Sequence, residues 1–200
     1  MLLRAKTKLS FSNEWLDKLK FQPHIDQDLA GNCDAIAVKS GTGSVFDFYR
    51  GNGLDPFENP EEYKYTKLYE QLNDVKKLVD YFQFCSTRVR IHKQAPGNII
   101  PLHVDENNWF DTPPDKYMIR SITALTADSN FIYKFIYKDK EYTYNLEQGE
   151  TIIFDPDFVQ HGMDNKSTDK TRYALVHIFR AYPVTQWFKS FVYDEKVITL

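Results

Sequence analysis

A two-residue alternation of apolar and polar side chains begins at Ser86 and recurs through most of the second half of the chain. Val89 and Ile91 alternate with polar neighbours there, as in a strand with one buried face. The predicted strands cover residues 86–94, 99–105, 118–127, 131–137, 141–146, 151–154 and 173–179, with turn residues between them. So many short strands without intervening helices predict an antiparallel sandwich or barrel.

The first 83 residues show helical spacing instead. Ser12 is a capping residue for a short helix that reaches Leu19, and Asn59 is a cap for a longer one with Pro60 at its first position. The longer helix carries one apolar stripe, formed by Leu68, Leu72, Val75, Val79 and Phe82. We expect this stripe to cover the outer face of the larger sheet.

The length favours one domain. A chain of 200 residues can bury a full core, and no linker divides it. We predict a helical buttress with loops over residues 1–83, a β core over residues 84–181 and a C-terminal extension over residues 182–200.

Composition excludes several classes of function. The 25 Lys and Arg residues against 28 Asp and Glu residues give a net charge of −3, without the basic stripe of a nucleic-acid binder. Apolar runs are far shorter than the roughly 20 residues that span a bilayer, so no membrane association is expected. Cys33 and Cys85 form no CxxC pair, which favours a reducing, cytoplasmic setting.

Candidate metal ligands lie near the middle of the chain. His103 and Asp105 are two residues apart, so on a strand they would share one face and could bind the same ion. His161 follows a turn-like segment at what is expected to be the end of another strand. Two imidazoles and one carboxylate form the facial triad of non-haem Fe(II) oxygenases.

Arg172 adds a second signal. It lies eleven residues after His161, at the start of the apolar strand that begins with Tyr173. An arginine that enters a barrel interior is costly unless an anion meets it, and its planar fork matches a carboxylate. A dicarboxylate ligand would offset the cost of burying the charge. An arginine at the end of a surface strand would need no such ligand.

These residues belong to a longer series of short sequence motifs. Over residues 84–181 the series is Pro96-Gly97, His103-Val104-Asp105, Arg120, Gly149-Glu150, Phe154-Asp155, His161, Asn165 and Arg172. In this combination the sequence resembles the aspartyl/asparaginyl β-hydroxylase family of Fe(II)- and 2-oxoglutarate-dependent oxygenases. The resemblance implies a mainly β fold with N-terminal helices, in which the core is a double-stranded β-helix, the jelly roll of the cupins.

The resemblance also implies roles for single residues. His103, Asp105 and His161 would bind Fe(II), and Arg172 would pair with the distal carboxylate of 2-oxoglutarate. Arg120 would help to hold the co-substrate or a substrate carboxylate.

Two positions depart from the family pattern. Ile122 stands where the family often has His, and Ala174 stands where many related oxygenases have Ser. Gln94 and His92, on the strand face opposite Val89, are the candidates to replace those 2-oxoglutarate contacts.

The resulting hypothesis is a hydroxylase. Iron would activate O2 while 2-oxoglutarate is decarboxylated to succinate, and an amino acid or a peptidyl Asp, Asn or Pro would be hydroxylated. One alternative is a cupin-like metal-binding or scaffold module without turnover, which would have no need of a buried Arg172. Another is an oxygenase that acts on a nucleotide, which the acidic balance disfavours unless the nucleotide is free.

Other aromatic and imidazole side chains have simpler interpretations. His24 and His177 have no partner at ligand spacing, so structural roles are expected. Trp109 and Phe110 follow the metal motif and could line or cover a substrate pocket, or simply pack. The alternating Tyr133, Phe135 and Tyr137 are expected to form core.

Overall fold

The computed structural model describes residues 2–6, 12–23, 33–45, 62–80, 86–105, 118–180 and 198–199. The strands in these ranges are β1 (Leu2–Lys6), β2 (Gln22–Pro23), β3 (Asp34–Ser40), β4 (Lys64–Tyr65), β5 (Ser86–Gln94), β6 (Ile99–His103), β7 (Met118–Ala124), β8 (Phe131–Tyr137), β9 (Lys140–Tyr144), β10 (Glu150–Phe154), β11 (Gln160–Asn165), β12 (Arg172–Arg180) and β13 (Ile198–Thr199). The helices are a 3-10 turn (Leu16–Lys18), α1 (Lys67–Gln71) and α2 (Asn73–Asp80). In the same ranges, no helix is long and apolar enough to cross a membrane.

The strands form two antiparallel sheets. The nine-stranded sheet has the order β13, β1, β10, β7, β12, β5, β3, β2, with β4 also paired to β3. The four-stranded sheet has the order β6, β11, β8, β9. Neighbours in space are often far apart in sequence, as in a barrel whose strands alternate between two sheets.

The main core lies between these sheets. Phe131, Tyr133 and Phe135 of β8 share one buried cluster with Ile152 of β10 and Ala174 of β12. The residues between them on β8 are only partly buried. The period of two that predicted the strands is therefore the period that builds the core.

The outer face of the nine-stranded sheet is covered by the helices. Leu68 of α1 and Val75 and Val79 of α2 lie in one buried cluster with Val89 and Ile91 of β5. This is the packing expected of the apolar stripe. Leu72 is partly buried against the same cluster, and Phe82 lies outside the described residues.

The long helix predicted from Asn59 is wrong in its extent. Residues 64–65 form β4 instead and pair with β3, and the Thr66 hydroxyl donates to the Ala37 carbonyl at 2.9 Å. Leu72 is extended, with φ −120° and ψ 103°, and so separates α1 from α2. Pairing with a strand far away in sequence overrides the local helical signal here. Asn59 and Pro60 themselves lie outside the described residues.

The N-terminal part also contributes strands. β1 pairs with β10 over five residues, and β3 pairs with β5. The first 83 residues therefore supply part of the nine-stranded sheet as well as its helical cover. The division of the chain at residue 83 stays a prediction, and truncation there would remove both of these pairings.

His177 makes the stability of this core depend on pH. It is fully buried on β12, and burial, with a smaller contribution from Lys39, lowers its pKa from 6.5 to about 3. Below pH 6.5 the unfolded chain binds a proton that the folded chain excludes, so stability falls as pH falls towards 3. Between pH 7.5 and 5.0 this single group is expected to cost about 2 kcal/mol of unfolding free energy.

Urea unfolding of the wild type and of His177→Leu at the two pH values measures this cost. The variant should lose less stability than the wild type between pH 7.5 and 5.0, whatever its stability at pH 7.5. Equal losses in the two proteins would show that His177 does not carry the pH dependence.

Candidate active site

The four-stranded sheet brings His103 and His161 together, and Asp105 lies beside them just beyond the end of β6. His103 ends β6 and pairs directly with His161, the second residue of β11. Asp105 follows two residues later, and its amide donates to the Pro156 carbonyl at 2.9 Å, which extends the ordered chain beyond β6. Asp105 Oδ1 lies 3.5 Å from Nε2 of each imidazole, and one ligand atom from each residue lies within 4.8 Å of the other two.

Both imidazoles are held in the orientation that a metal needs. His103 Nδ1 lies 2.8 Å from the Pro101 carbonyl, and His161 Nδ1 lies 3.0 Å from the Val159 carbonyl. A carbonyl only accepts, so each Nδ1 carries the proton and each Nε2 keeps its lone pair. Two imidazole nitrogens and one carboxylate oxygen suit a first-row divalent ion such as Fe(II).

A β-bulge in β6 directs His103 into the site. Opposite Gly162, β6 has two residues, Pro101 and Leu102, because His161 pairs with His103 while Met163 pairs with Ile100. Ile100 packs against the core, and three residues later His103 would otherwise face away from it. The extra residue therefore returns His103 to the inner side.

Gly162 permits the close approach of the two strands at the bulge. A Cβ at this position would lie 2.8 Å from the Ile100 carbonyl oxygen and 3.0 Å from the Leu102 nitrogen. Gly162→Ala should therefore push β6 away from β11 and separate His103 from His161. We expect a loss of about 1–3 kcal/mol in stability and about 10-fold in metal affinity.

Gly97→Ala is the matched control. Gly97 has φ +76° and open space around its Cβ position, so alanine adds backbone strain without displacing a neighbour. Both variants should be less stable, but only Gly162→Ala should bind Mn(II) more weakly in a calorimetric titration. Equal metal affinities would show that the bulge does not position His103.

Arg120 introduces a positive charge among the candidate ligands. It lies on β7, forms a salt bridge from Nη2 to Asp105 Oδ2 and places Nη1 3.1 Å from His161 Nε2. Burial alone would raise the pKa of Asp105, but Arg120 and the two imidazoles hold it well below its usual range. Burial lowers the pKa of His161 to about 3, so this imidazole is neutral at neutral pH.

Arg172 is a buried cation with polar partners and no acid among the described residues. It is the first residue of β12 and is fully buried. Nε donates to Gln94 Oε1 at 2.8 Å, and Nη1 donates to the Tyr133 hydroxyl at 3.2 Å, with the guanidinium also over the Tyr133 ring. Nη2 has no hydrogen-bond partner in the described part of the chain. An anion at Nη2 would complete this arrangement.

The side-chain oxygen of Gln94 accepts a hydrogen bond from Arg172. Its amide nitrogen donates to the carbonyls of Asn98 at 2.9 Å and Met163 at 3.2 Å, which turns its oxygen towards Arg172. Gln94 therefore orients the guanidinium, and its direct contact with 2-oxoglutarate stays a prediction. His92 lies on the same face of β5, paired with Ala174 and Ala35, and its predicted contact with 2-oxoglutarate is likewise untested.

Tyr133 has a role that sequence reasoning missed. It was expected to form core, which it does, but its hydroxyl and ring also hold Arg172. The alternation of aromatic residues on β8 gave no sign of this contact.

The two residues that depart from the pattern of the resembled family lie in apolar surroundings. Ile122 and Ala174 are both buried in the core between the sheets. His24, Trp109 and Phe110 lie outside the described residues.

Comparison with known proteins shows the same fold in oxygenases. No family model and no curated protein matches the sequence. The non-heme alpha ketoglutarate dependent carbocyclase SnoK from nogalamycin biosynthesis has a TM-score of 0.56 at 9% identity, over 90% of this chain and 79% of SnoK. At this identity the likeness shows the fold alone. The predicted double-stranded β-helix is thereby confirmed.

Two further solved structures are similar. A Pseudomonas putida prolyl-4-hydroxylase has a TM-score of 0.48 at 12% identity, over 83% of this chain and 80% of its own. A 2OG-Fe(II) oxygenase family protein from Burkholderia pseudomallei has a TM-score of 0.47 at 13% identity, over 80% and 72% of the two chains.

Proposed function

We propose that this chain is an Fe(II)- and 2-oxoglutarate-dependent dioxygenase that hydroxylates an amino acid or a peptidyl Asp, Asn or Pro. The observation that carries the proposal is the environment of Arg172. This side chain is fully buried, its Nη2 has no hydrogen-bond partner, and no acid pairs with it in the described part of the chain. A module that only binds metal has no use for such a cation. An enzyme that binds a co-substrate through its carboxylate needs such a cation.

Each part of the site has a task in this proposal. His103, Asp105 and His161 would hold Fe(II) and leave its remaining positions open. Arg172 would bind the distal carboxylate of 2-oxoglutarate, with Gln94 fixing its orientation. The bound iron and 2-oxoglutarate would supply the oxidising power for hydroxylation from O2, with succinate and CO2 as by-products.

The substrate class follows from the sequence resemblance. An amino acid or a peptidyl Asp, Asn or Pro is the substrate expected of a member of the aspartyl/asparaginyl β-hydroxylase family.

Succinate release tests the function directly. The protein is incubated with Fe(II), ascorbate, O2 and 2-oxoglutarate, alone and with a panel of free amino acids, short peptides containing Asp, Asn or Pro, and free nucleotides. We expect an amino acid or peptide to stimulate succinate formation and to gain about 16 mass units, the mass of one oxygen atom. Stimulation by a nucleotide alone would replace the substrate class.

Binding measurements distinguish the non-catalytic alternative. A protein that binds Mn(II) at the triad but shows no affinity for 2-oxoglutarate in calorimetry would be a cupin-like metal-binding module. The proposed oxygenase function would then be rejected.

A further inference from the structure

Arg120 contacts two of the three candidate metal ligands at their ligand atoms. Nη1 lies 3.1 Å from His161 Nε2 and 3.4 Å from Asp105 Oδ1, while Nη2 forms the salt bridge with Asp105 Oδ2. Because His161 Nδ1 is used on the Val159 carbonyl, Nε2 has the only lone pair of that ring. A metal ion and the Arg120 N–H must therefore compete for it.

The sheet fixes the backbone of Arg120 but does not hold its guanidinium. The Arg120 backbone is fixed in β7, where it pairs with Phe154 of β10 and Ile178 of β12. Its Nε has no hydrogen-bond partner among the described residues, so the contacts of the guanidinium are those of its two terminal nitrogens. A long arginine stem can rotate to a new position from a fixed Cα.

Exchange of this cation for a metal changes the charge of the site. Without metal, the negative charge of Asp105 and the positive charge of Arg120 cancel. The two imidazoles lie beside this ion pair. With a divalent ion on the triad, the ion and Asp105 together leave one positive charge, and the displaced Arg120 adds another. A closed, neutral cluster thus becomes a site with two positive charges facing the barrel interior.

Resting on the metal site of the proposed function, we propose that Arg120 is an internal place-holding cation. In the metal-free protein it occupies the ligand atoms of His161 and Asp105, and a metal ion binds by displacing it. The guanidinium pairs with a partly buried carboxylate that has no other Lys or Arg partner among the described residues. It therefore stabilises the metal-free site and weakens metal binding at the same time.

The test compares Mn(II) binding by the wild type, Arg120→Gln and Lys166→Gln. The bound ion is measured through loss of the EPR signal of free Mn(II), and melting temperatures are recorded with and without the ion. Lys166 is exposed and follows the last residue of β11, at the end of the strand away from His161, so Lys166→Gln removes the same unit charge without touching the site.

Arg120→Gln is expected to bind Mn(II) about 10-fold or more tightly than the wild type, because the ion no longer displaces a charge-assisted contact. Its metal-free form should melt at a lower temperature, and Mn(II) should raise that temperature by more than in the wild type. Lys166→Gln should match the wild type in both measurements. Arg120→Lys, whose single ammonium cannot contact His161 and Asp105 as a fork, should have intermediate affinity, and it serves if the glutamine variant does not fold.

Equal or weaker Mn(II) binding by Arg120→Gln and Arg120→Lys overturns the place-holding role, while the proposed oxygenase function stands if 2-oxoglutarate turnover continues in the wild type. Mn(II) binding by the variants but not by the wild type would show that Arg120 blocks the triad permanently, which overturns its displacement by the ion and rejects the oxygenase function. Failure of the wild type and of every variant to bind Mn(II) rejects the triad as a metal site and both proposals with it.

Discussion

Replacement of His161 by alanine is expected to weaken Mn(II) binding by at least about 100-fold and to reduce succinate formation to background, since one of the three candidate metal ligands is lost. The His161 ring is buried, packs 4.7 Å from the Phe154 ring and has its Nε2 directed at the site. No other imidazole among the described residues is placed to substitute for it within the cluster of candidate ligands. Calorimetry with Mn(II), followed by the succinate assay with Fe(II), measures both losses.

His177→Leu is the matched control for this substitution. His177 is as fully buried as His161 and has a similarly lowered pKa of about 3, but it lies outside the triad. The control should retain Mn(II) affinity within about twofold of the wild type, since no ligand atom changes. If His161→Ala kept its metal affinity, the triad would not be the metal site.

Arg172→Ala should raise the KM for 2-oxoglutarate by about 30- to 1,000-fold, because loss of a charge-assisted contact with its distal carboxylate costs about 2–4 kcal/mol. Its affinity for Mn(II) should change little, since its contacts are Gln94 and Tyr133 and not the triad. Steady-state succinate formation at varied 2-oxoglutarate, together with a Mn(II) titration, separates the two effects.

Two further variants show whether the effect comes from the carboxylate contact. Arg172→Lys keeps the charge but lacks the planar fork, so it should recover only part of the 2-oxoglutarate affinity. Tyr133→Phe removes the hydroxyl that accepts from Nη1 and should have a smaller effect than either arginine variant. An unchanged KM in Arg172→Ala would reject the assigned role of this residue.

Most of the β core was predictable because its strands have one buried face. Residues 131–137 were predicted as a strand and form β8 with the same bounds. The N-terminal elements were harder to predict, since β4 depends on pairing with β3 and β1 on pairing with β10. Such pairings join distant parts of the chain and leave no local period that a sequence can reveal.

The candidate site divides in the same way. The residue types and spacing predicted that His103 and Asp105 would share a face, and the structure places them together with His161. The bulge beside Gly162 was not predicted, because it depends on the register between β6 and β11. The contact of Arg120 with His161 was also missed, since a long side chain reaches there from the opposite sheet.

The position of β6 has a consequence for the lifetime of a bound ion. Among the described strands, β6 has a neighbour on one side only, β11, and it carries His103 and leads to Asp105. Two of the three candidate ligands therefore belong to a segment that can detach by local fluctuation while the rest of the barrel stays folded. An ion bound there would be released by the opening of one edge strand, so its rate of release would depend on that strand and not on the global stability of the protein.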